Sequence, residues 1–357
     1  MIFRRDIALR TAESRLEKTF IDSTVSIQRC GRFSTRSLEL STIEISRKGY
    51  YDLLIEDVRI EYSLLALFTG RIKKVSVEKI LLAIDNDDED PKNVIGWLDI
   101  SDGGLFRLDE AVVSDALFFI VMKGFACEGR ASFAFSPEKK EMKEIDIAIP
   151  ILKSYGVSLK DLNMKGSSAG GAKVTIGEIA YKDFLITNAS GAAKIVDSFL
   201  VVSPFAAQIF DGVVRGVITL AFDHGGGFSI DINSEALNMA NLVEDLKLAE
   251  KVQLTGKLSG NISLSGMAFR VTEMSGEFST KDPGGVLIIK DTRFLENMAM
   301  RSDQALDLLM ETFNNYQYTI GTMSVALDER DLRFEIELNG DAGKRAFDIV
   351  IHDFIKE

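Results

Sequence analysis

Asp331-Leu332-Arg333-Phe334-Glu335-Ile336-Glu337-Leu338-Asn339-Gly340 decides how this chain is read. Every second residue from Leu332 to Leu338 is large and apolar, and those between are charged. Side chains of an extended strand point alternately to opposite faces, so the stretch predicts a strand with one apolar and one polar face. Asn339-Gly340 is a turn signal, and Phe347, Ile349 and Ile351 repeat the alternation beyond it. The same pattern recurs upstream at Phe228, Ile230 and Ile232, at Ile218, Leu220 and Phe222, at Ile145, Ile147 and Ile149, and at Ala131, Phe133 and Phe135. Further turn signals stand at Asp102-Gly103-Gly104, Ser168-Ala169-Gly170-Gly171, Gly225-Gly226-Gly227 and Pro283-Gly284-Gly285. Short connections between alternating strands predict hairpins and meanders rather than βαβ crossovers, hence a mainly β chain with an antiparallel sheet.

Three stretches follow helical spacing instead. Residues 2–20 carry Leu9, Ala12, Leu16 and Phe20 on one stripe; 238–247 carry Met239, Leu242, Val243 and Leu246; 294–315 carry Leu306, Leu309, Met310 and Phe313. About three short helices cannot cover the apolar face of some twenty strands. That face must meet a second sheet, close into a barrel, or receive an apolar ligand. In Leu38-Glu39-Leu40-Ser41-Thr42-Ile43-Glu44-Ile45 the alternation slips by one residue, which predicts a β-bulge.

Composition narrows the function classes. The 357 residues are 46% hydrophobic and 27% charged, a globular balance with a net charge of −12. No cluster of Lys and Arg fits a nucleic-acid partner. Cys30 and Cys127 have no metal or redox spacing and read as two small buried side chains, with a long-range disulfide left open. No apolar run is long enough for a membrane-spanning helix; Ala116-Leu117-Phe118-Phe119-Ile120-Val121-Met122 is too short. Met1-Ile2-Phe3-Arg4-Arg5 does not open a signal peptide.

The chemical motifs are weak. Gly166-Ser167-Ser168-Ala169-Gly170 has the form of a nucleophile elbow and His224-Gly225-Gly226-Gly227 that of an oxyanion loop. The elbow lies between two alternating strands, the loop follows it instead of preceding it, and only His352 could complete a triad in that order, so both read as hairpin turns. The acidic run Asp85-Asn86-Asp87-Asp88-Glu89-Asp90-Pro91 lacks the glycine and terminal glutamate of a calcium loop and reads as a solvated boundary loop. His224 and His352 have no cysteine beside them and suggest no zinc site. The expectation is no catalytic residue, no metal, no cofactor and no enzymatic activity.

Two stretches resemble a known family. Leu54-Ile55-Glu56-Asp57-Val58-Arg59-Ile60-Glu61-Tyr62-Ser63-Leu64-Leu65-Ala66-Leu67 followed by Gly70-Arg71-Ile72 resembles the N-terminal region of AsmA-like envelope proteins. Pro204-Phe205-Ala206-Ala207-Gln208-Ile209-Phe210-Asp211-Gly212, then Gly256-Lys257-Leu258-Ser259-Gly260-Asn261-Ile262, then Gly284-Gly285-Val286-Leu287-Ile288, resembles the C-terminal region of the YdbH-like branch, which carries a dicarboxylate-transport label. Asp211 stands where the family pattern has a glycine. The resemblance implies an elongated, U-shaped, taco-like antiparallel sheet around an apolar groove. It also implies non-enzymatic movement of phospholipid between the inner and outer membranes, in the periplasm of a diderm bacterium.

The groove candidates are Phe133, Phe135, Ile145, Ile147, Ile149, Ile218, Leu220, Phe222, Phe228, Ile230, Leu332, Phe334 and Ile336. The expected partners are phospholipid or another lipid, the two membranes, and an envelope protein or a second copy of the chain, with no nucleic acid. Family members begin with a transmembrane helix, so the start at Met1 reads as lying downstream of an anchor. The expected divisions are 1–85, 86–199 and 200–357, forming one continuous sheet. The competing readings are a structural β-sandwich or interaction protein, an outer-membrane barrel, and a hydrolase.

Overall fold

The computed structural model describes residues 10, 13–14, 16, 20, 23–63, 71–86, 107–139, 141–154, 156–196, 199–221, 227–267, 270–280, 283–302 and 305–354. The fold is mainly β and divides into two compact units, residues 1–179 and 180–357.

Unit 1 holds β1 (Thr24–Phe33), β2 (Ser37–Arg47), β3 (Tyr51–Glu61), β4 (Arg71–Asn86), β5 (Arg107–Met122), β6 (Phe125–Ser136), β7 (Glu141–Ser154), β8 (Val157–Ser167) and β9 (Gly171–Tyr181). Neighbours in sequence are neighbours in space from β1 to β8. β9 follows beside β8, where Gly177 packs on Asp161 and Lys160 reaches Glu178.

One pairing departs from the expected hairpins. β4 and β5 run parallel, with Arg71 opposite Arg107 and Asn86 opposite Met122. Alternation is blind to strand direction, and the connection here is far longer than a hairpin loop. Both strands carry continuous apolar runs, Ile80-Leu81-Leu82-Ala83-Ile84 and Ala116 to Met122, as parallel strands commonly do.

The slip in β2 is a bulge. Consecutive Arg29 and Cys30 on β1 face Thr42 and Leu40, so Ser41 is an extra residue. β3 and β4 step with β2 at the same level: Leu40, Val58 and Val77 form one cross-strand row, and Ile43, Ile55 and Ile80 form the next. Asp57 sits at this step with φ 53°. β5 ends the belt, spending Ser114 and Asp115 where β6 has only Ser132. The matched insertions keep the large apolar residues on one face above and below the belt.

One corner of that face is covered. Leu16 and Phe20, two members of the N-terminal apolar stripe, pack on buried Val25, Ile27, Ile43, Ile45 and Val58. Arg10, Glu13, Ser14 and Leu16 are helical, in line with the expected helix; the rest of that stripe lies outside the described residues. Glu13 accepts the Ile27 N–H at 3.0 Å, which satisfies a donor on edge strand β1.

Unit 2 holds β10 (Phe184–Val196), β11 (Phe199–Ile209), β12 (Gly212–Ala221), β13 (Gly227–Asn238), β15 (Lys257–Met267), β16 (Arg270–Thr280), β19 (Ile320–Asp328), β20 (Asp331–Gly340) and β21 (Gly343–Ile351), antiparallel in that order. The intervening segments build a small module. It comprises α1 (Met239–Asp245), β14 (Val252–Leu254), β17 (Gly285–Ile289), α2 (Thr292–Ser302), α3 (Leu306–Phe313) and β18 (Tyr316–Tyr318). β14, β17 and β18 form a three-stranded sheet. α1 and the α2–α3 pair fall where helical spacing placed them, with Asn238 capping α1 through the Ala240 N–H.

The module is closed tightly against β15 and β20. Phe313, Leu287, Tyr316, Leu258, Leu338 and Tyr318 are all fully buried. Tyr316 donates to the main-chain oxygens of Leu338 and Gly343, and Tyr318 donates to Thr255 O at 2.5 Å. Burial pushes the Tyr318 phenol up to about 12. Its folded value lies above the unfolded one of about 10. The stability it contributes is therefore complete below pH 10 and is lost as pH rises toward 12. Chemical denaturation across that window should show the loss, and Tyr318→Phe should remove this component of it.

The turn after β20 lies two residues beyond the one expected. Asn339 and Gly340 are strand residues opposite Lys344 and Gly343, and Asp341-Ala342 make the turn. A Cβ on Gly340 would overlap the Gln317 carbonyl of β18, so this glycine permits a close backbone approach. Between β11 and β12, Phe210-Asp211 is a two-residue hairpin turn with φ 49° and 57°. The Asp211 carboxylate accepts from Asn241 at 2.8 Å and from Asn238 at 3.3 Å, tying the turn to α1.

Candidate functional site: a two-faced sheet

Cross-strand register sorts the side chains of unit 2 into rows. One row runs Val202, Ile218, Ile230, Leu264 and Met274 across β11 to β16. A second runs Phe205, Gly216, Ile232, Ile262, Gly276, Val325, Phe334 and Ile349. Between them lies a mixed row of Val217, Asp231, Ser263, Ser275, Ala326, Arg333 and Val350 on the opposite face. The alternation read along single strands is thus a property of the whole sheet.

Unit 1 repeats the arrangement. Ile55, Ile80, Ala116, Ala131, Ile147 and Met164 form one row of the apolar face. On the other face, charged side chains pair between neighbouring strands: Arg130 with Asp115 at 2.6 Å, Lys165 with Asp146 at 2.6 Å, and Lys79 with Glu56 at 3.3 Å. Glu110 receives Lys143 at 2.6 Å and Lys74 at 3.4 Å. The hydrogen bond from Lys143 holds its carboxyl below the usual range, against partial desolvation and with help from Lys74. Exposed pairs of this kind add little stability each; they mark the face that is built for water. Phe119 and Ile151 are exceptions, apolar and exposed on that face.

The candidate residues fall into two classes of burial. Phe133, Phe135, Ile145, Ile147 and Ile149 are half-buried, and no described helix or second sheet of unit 1 lies across β6 to β8. Ile218, Phe228 and Ile230 are half-buried and Leu220 is exposed. Leu332, Phe334 and Ile336 are 4%, 7% and 4% exposed, closed into the core of β19 to β21. Phe222 lies outside the described residues. The register adds Ile232, Ile262 and Leu264 to the half-buried set. Ile232 continues the alternation of Phe228 and Ile230, while the signal for Ile262 and Leu264 is the alternation Leu258 to Leu264, diluted by Ser and Gly.

Backbone packing marks the same face. A Cβ on Gly216 would overlap the Asp231 carbonyl oxygen, and one on Gly260 would overlap that of Glu277. Both glycines lie in apolar rows, so adjacent strands crowd together on the apolar side. At the ends of unit 2, Lys182 donates to Phe354 O at 2.6 Å and lies 4.6 Å over its ring. The segment before β10 therefore reaches the segment after β21.

The residues of the weaker motifs are engaged elsewhere. Residues 168–170 form the β8–β9 turn. The Ser168 hydroxyl exchanges hydrogen bonds with the Met142 main chain, both at 3.1 Å. His352 Nδ1 lies 2.7 Å from Asp331, whose carboxyl is held below its usual range mainly by that hydrogen bond. His224 and residues 87–91 of the acidic run lie outside the described residues. A depression of about 620 Å³ spans β15 to β21, lined by Phe278, Met323, Ile336 and Phe347 together with Glu277, Glu335, Glu337 and Asp348. Among the described residues no group of His, Cys, Asp or Glu is arranged to hold a metal ion, and no helix is long and apolar enough to cross a membrane. Cys127 is a buried free thiol whose pKa burial raises.

No family model, no curated protein and no solved structure matches this chain.

Proposed function

We propose that this chain binds lipid along the apolar face of its sheet and carries it within a bacterial cell envelope, without catalysing a reaction. One observation carries the reading. From β6 to β8 a continuous apolar face holds Phe133, Phe135, Ile145, Ile147 and Ile149 half-buried, and no described helix or second sheet of that unit lies across it. Exposed hydrocarbon costs roughly 0.8 kcal/mol per CH₂, so a lipid tail and this face each lose an unfavourable contact with water when they meet. Rows of similar residues offer a tail many near-equal positions. That favours sliding over a single tight site.

The crowding at Gly216 and Gly260 and the bridge from Lys182 to Phe354 support a curved sheet in unit 2, with the apolar side as the floor of a groove. The resemblance to AsmA-like and YdbH-like proteins supports phospholipid as the cargo. It also supports the space between inner and outer membranes as the place, with the membranes, an envelope protein or a second copy as partners. A second reading, a structural or interaction β-protein, draws on the closed core around Leu332, Phe334 and Ile336.

Native mass spectrometry of purified protein, with lipid extraction of the same sample, separates the two. The lipid reading expects co-purifying phospholipid that is released on unfolding. Protein that is lipid-free from several hosts and fails to take up added phospholipid would sink it.

A further inference from the structure

We propose that the outer edge of β21 pairs with the same edge of a second copy of this chain, antiparallel and centred on Ala346. Within unit 2, β21 bonds β20 along one side in an unbroken register, from Gly340–Gly343 to Leu332–Ile351. Among the described strands of the unit, none pairs with its other side. β21 holds no proline and no bulge, two devices that commonly blunt an exposed edge. Edge strand β1 differs, because bulges interrupt its register and Glu13 takes the Ile27 N–H.

The phase of the ladder decides which groups this edge presents. Asn339 O accepts the Thr319 N–H, so the main-chain groups of odd-numbered β20 residues face β19 and those of even-numbered ones face β21. Their partners on β21 are Gly343, Arg345, Phe347, Ile349 and Ile351. The N–H and C=O of Lys344, Ala346, Asp348 and Val350 therefore point outward, and all four residues are exposed. The Lys344 carbonyl accepts from Arg345 Nη1 at 3.0 Å and keeps a second lone pair for a partner. The Lys182 bridge to Phe354 comes after the strand has ended.

Charge pattern identifies the occupant as a second copy. Antiparallel pairing about Ala346 sets Lys344 opposite the partner's Asp348, Asp348 opposite the partner's Lys344, and Ala346 opposite its own equivalent. All three are bonded positions, so about six main-chain hydrogen bonds would accompany the two ion pairs. Centring the pairing on Lys344 would oppose two lysines, and centring it on Asp348 would oppose two aspartates; like charges directly opposite are repulsive. The same two residues thus favour one register and disfavour its neighbours. Lys344 also lies 2.9 Å from Glu337 on the same face of the sheet, where its flexible ammonium can serve both carboxylates. Self-complementarity about one residue is what a two-fold contact requires. A single strand pair is a small interface, so the dimer is weak and concentration-dependent.

The proposal is independent of what the apolar face binds. Sedimentation equilibrium of the full chain should show a monomer–dimer equilibrium that shifts with concentration. Ala346→Pro removes an outward N–H while keeping every bond to β20, and should weaken the dimer about tenfold or more. Lys344→Asp and Asp348→Lys should each weaken it about tenfold. Mixing those two variants should restore association, because an all-acidic edge then meets an all-basic one. Ala346→Cys should give an interchain disulfide between its two copies, since bonded partners lie about 5.5 Å apart at Cα. Val350→Cys, also exposed, should not, because its two copies would be about 27 Å apart in this register. Melting curves check that each variant folds, and the charge variants decide the matter if Ala346→Pro does not. A wild type that stays monomeric at every soluble concentration overturns the proposal. So does a dimer that persists unchanged in the folded edge variants, or a disulfide that forms at position 350 and not at 346.

Discussion

Gly260→Val is expected to cost more than about 4 kcal/mol and to leave unit 2 largely unfolded at ambient temperature. The position is in the middle of β15, opposite Phe278 of β16 and Ser234 of β13. A Cβ there would overlap the Glu277 carbonyl oxygen and press on Phe278 Cα. Main chain cannot rotate aside as a flexible side chain does, so β15 and β16 must separate and give up ladder hydrogen bonds. Buried Leu258, Phe278 and Met323 are coupled to that register and would be exposed with it. Gly227→Ala is the control. Its nearest neighbours would be at an ordinary 3.9 Å, and its expected change is within about 1 kcal/mol. Urea denaturation of the two variants checks the contrast. Equal midpoints would mean that strand crowding on the apolar side has no energetic weight.

Phe133→Asp/Ile147→Asp is expected to strip the chain of most bound lipid, by tenfold or more, at a modest cost in stability. The two residues lie on one apolar face, Phe133 opposite Ile145 and Ile147 opposite Met164. Both are half-buried, so in the free protein a carboxylate there keeps contact with water. Under a lipid tail it would lose that contact and gain no partner, which opposes binding strongly. Phe119→Asp on the opposite face is half exposed already and should leave the lipid load unchanged. Mass spectrometry of lipid carried by each variant gives the load, and melting curves give the stability. A double variant that unfolds outright would mark this face as a closed core and remove the basis for the lipid reading. Unchanged lipid load in a folded double variant would place the lipid elsewhere.

Much of this was legible in residues read one strand at a time. Leu332 to Leu338 specify a two-faced strand because polar and apolar groups partition in opposite directions between water and protein. Met239, Leu242, Val243 and Leu246, and likewise Leu306, Leu309, Met310 and Phe313, specify helices because their spacing matches the helical repeat. The slip at Ser41 specified a bulge because one extra residue inverts the faces of everything after it.

Other features depend on groups far apart in the chain, and local pattern carries no record of them. The parallel union of β4 and β5 was hidden because each strand alternates, or runs apolar, in the same way whichever direction its neighbour takes. The turn after β20 moved past Asn339-Gly340 because β18 needs Gly340 for close approach, a demand arising from Gln317 and Tyr318. Burial separated residues that look alike in sequence. Leu332, Phe334 and Ile336 are closed in core while Ile145, Ile147 and Ile149 are half open, since burial depends on what lies above a face and not on the face itself. The sequence by itself therefore determined that the sheet has an apolar side. Only the tertiary structure decided which parts of that side are closed in core and which stay half open, because burial depends on residues far apart in the chain.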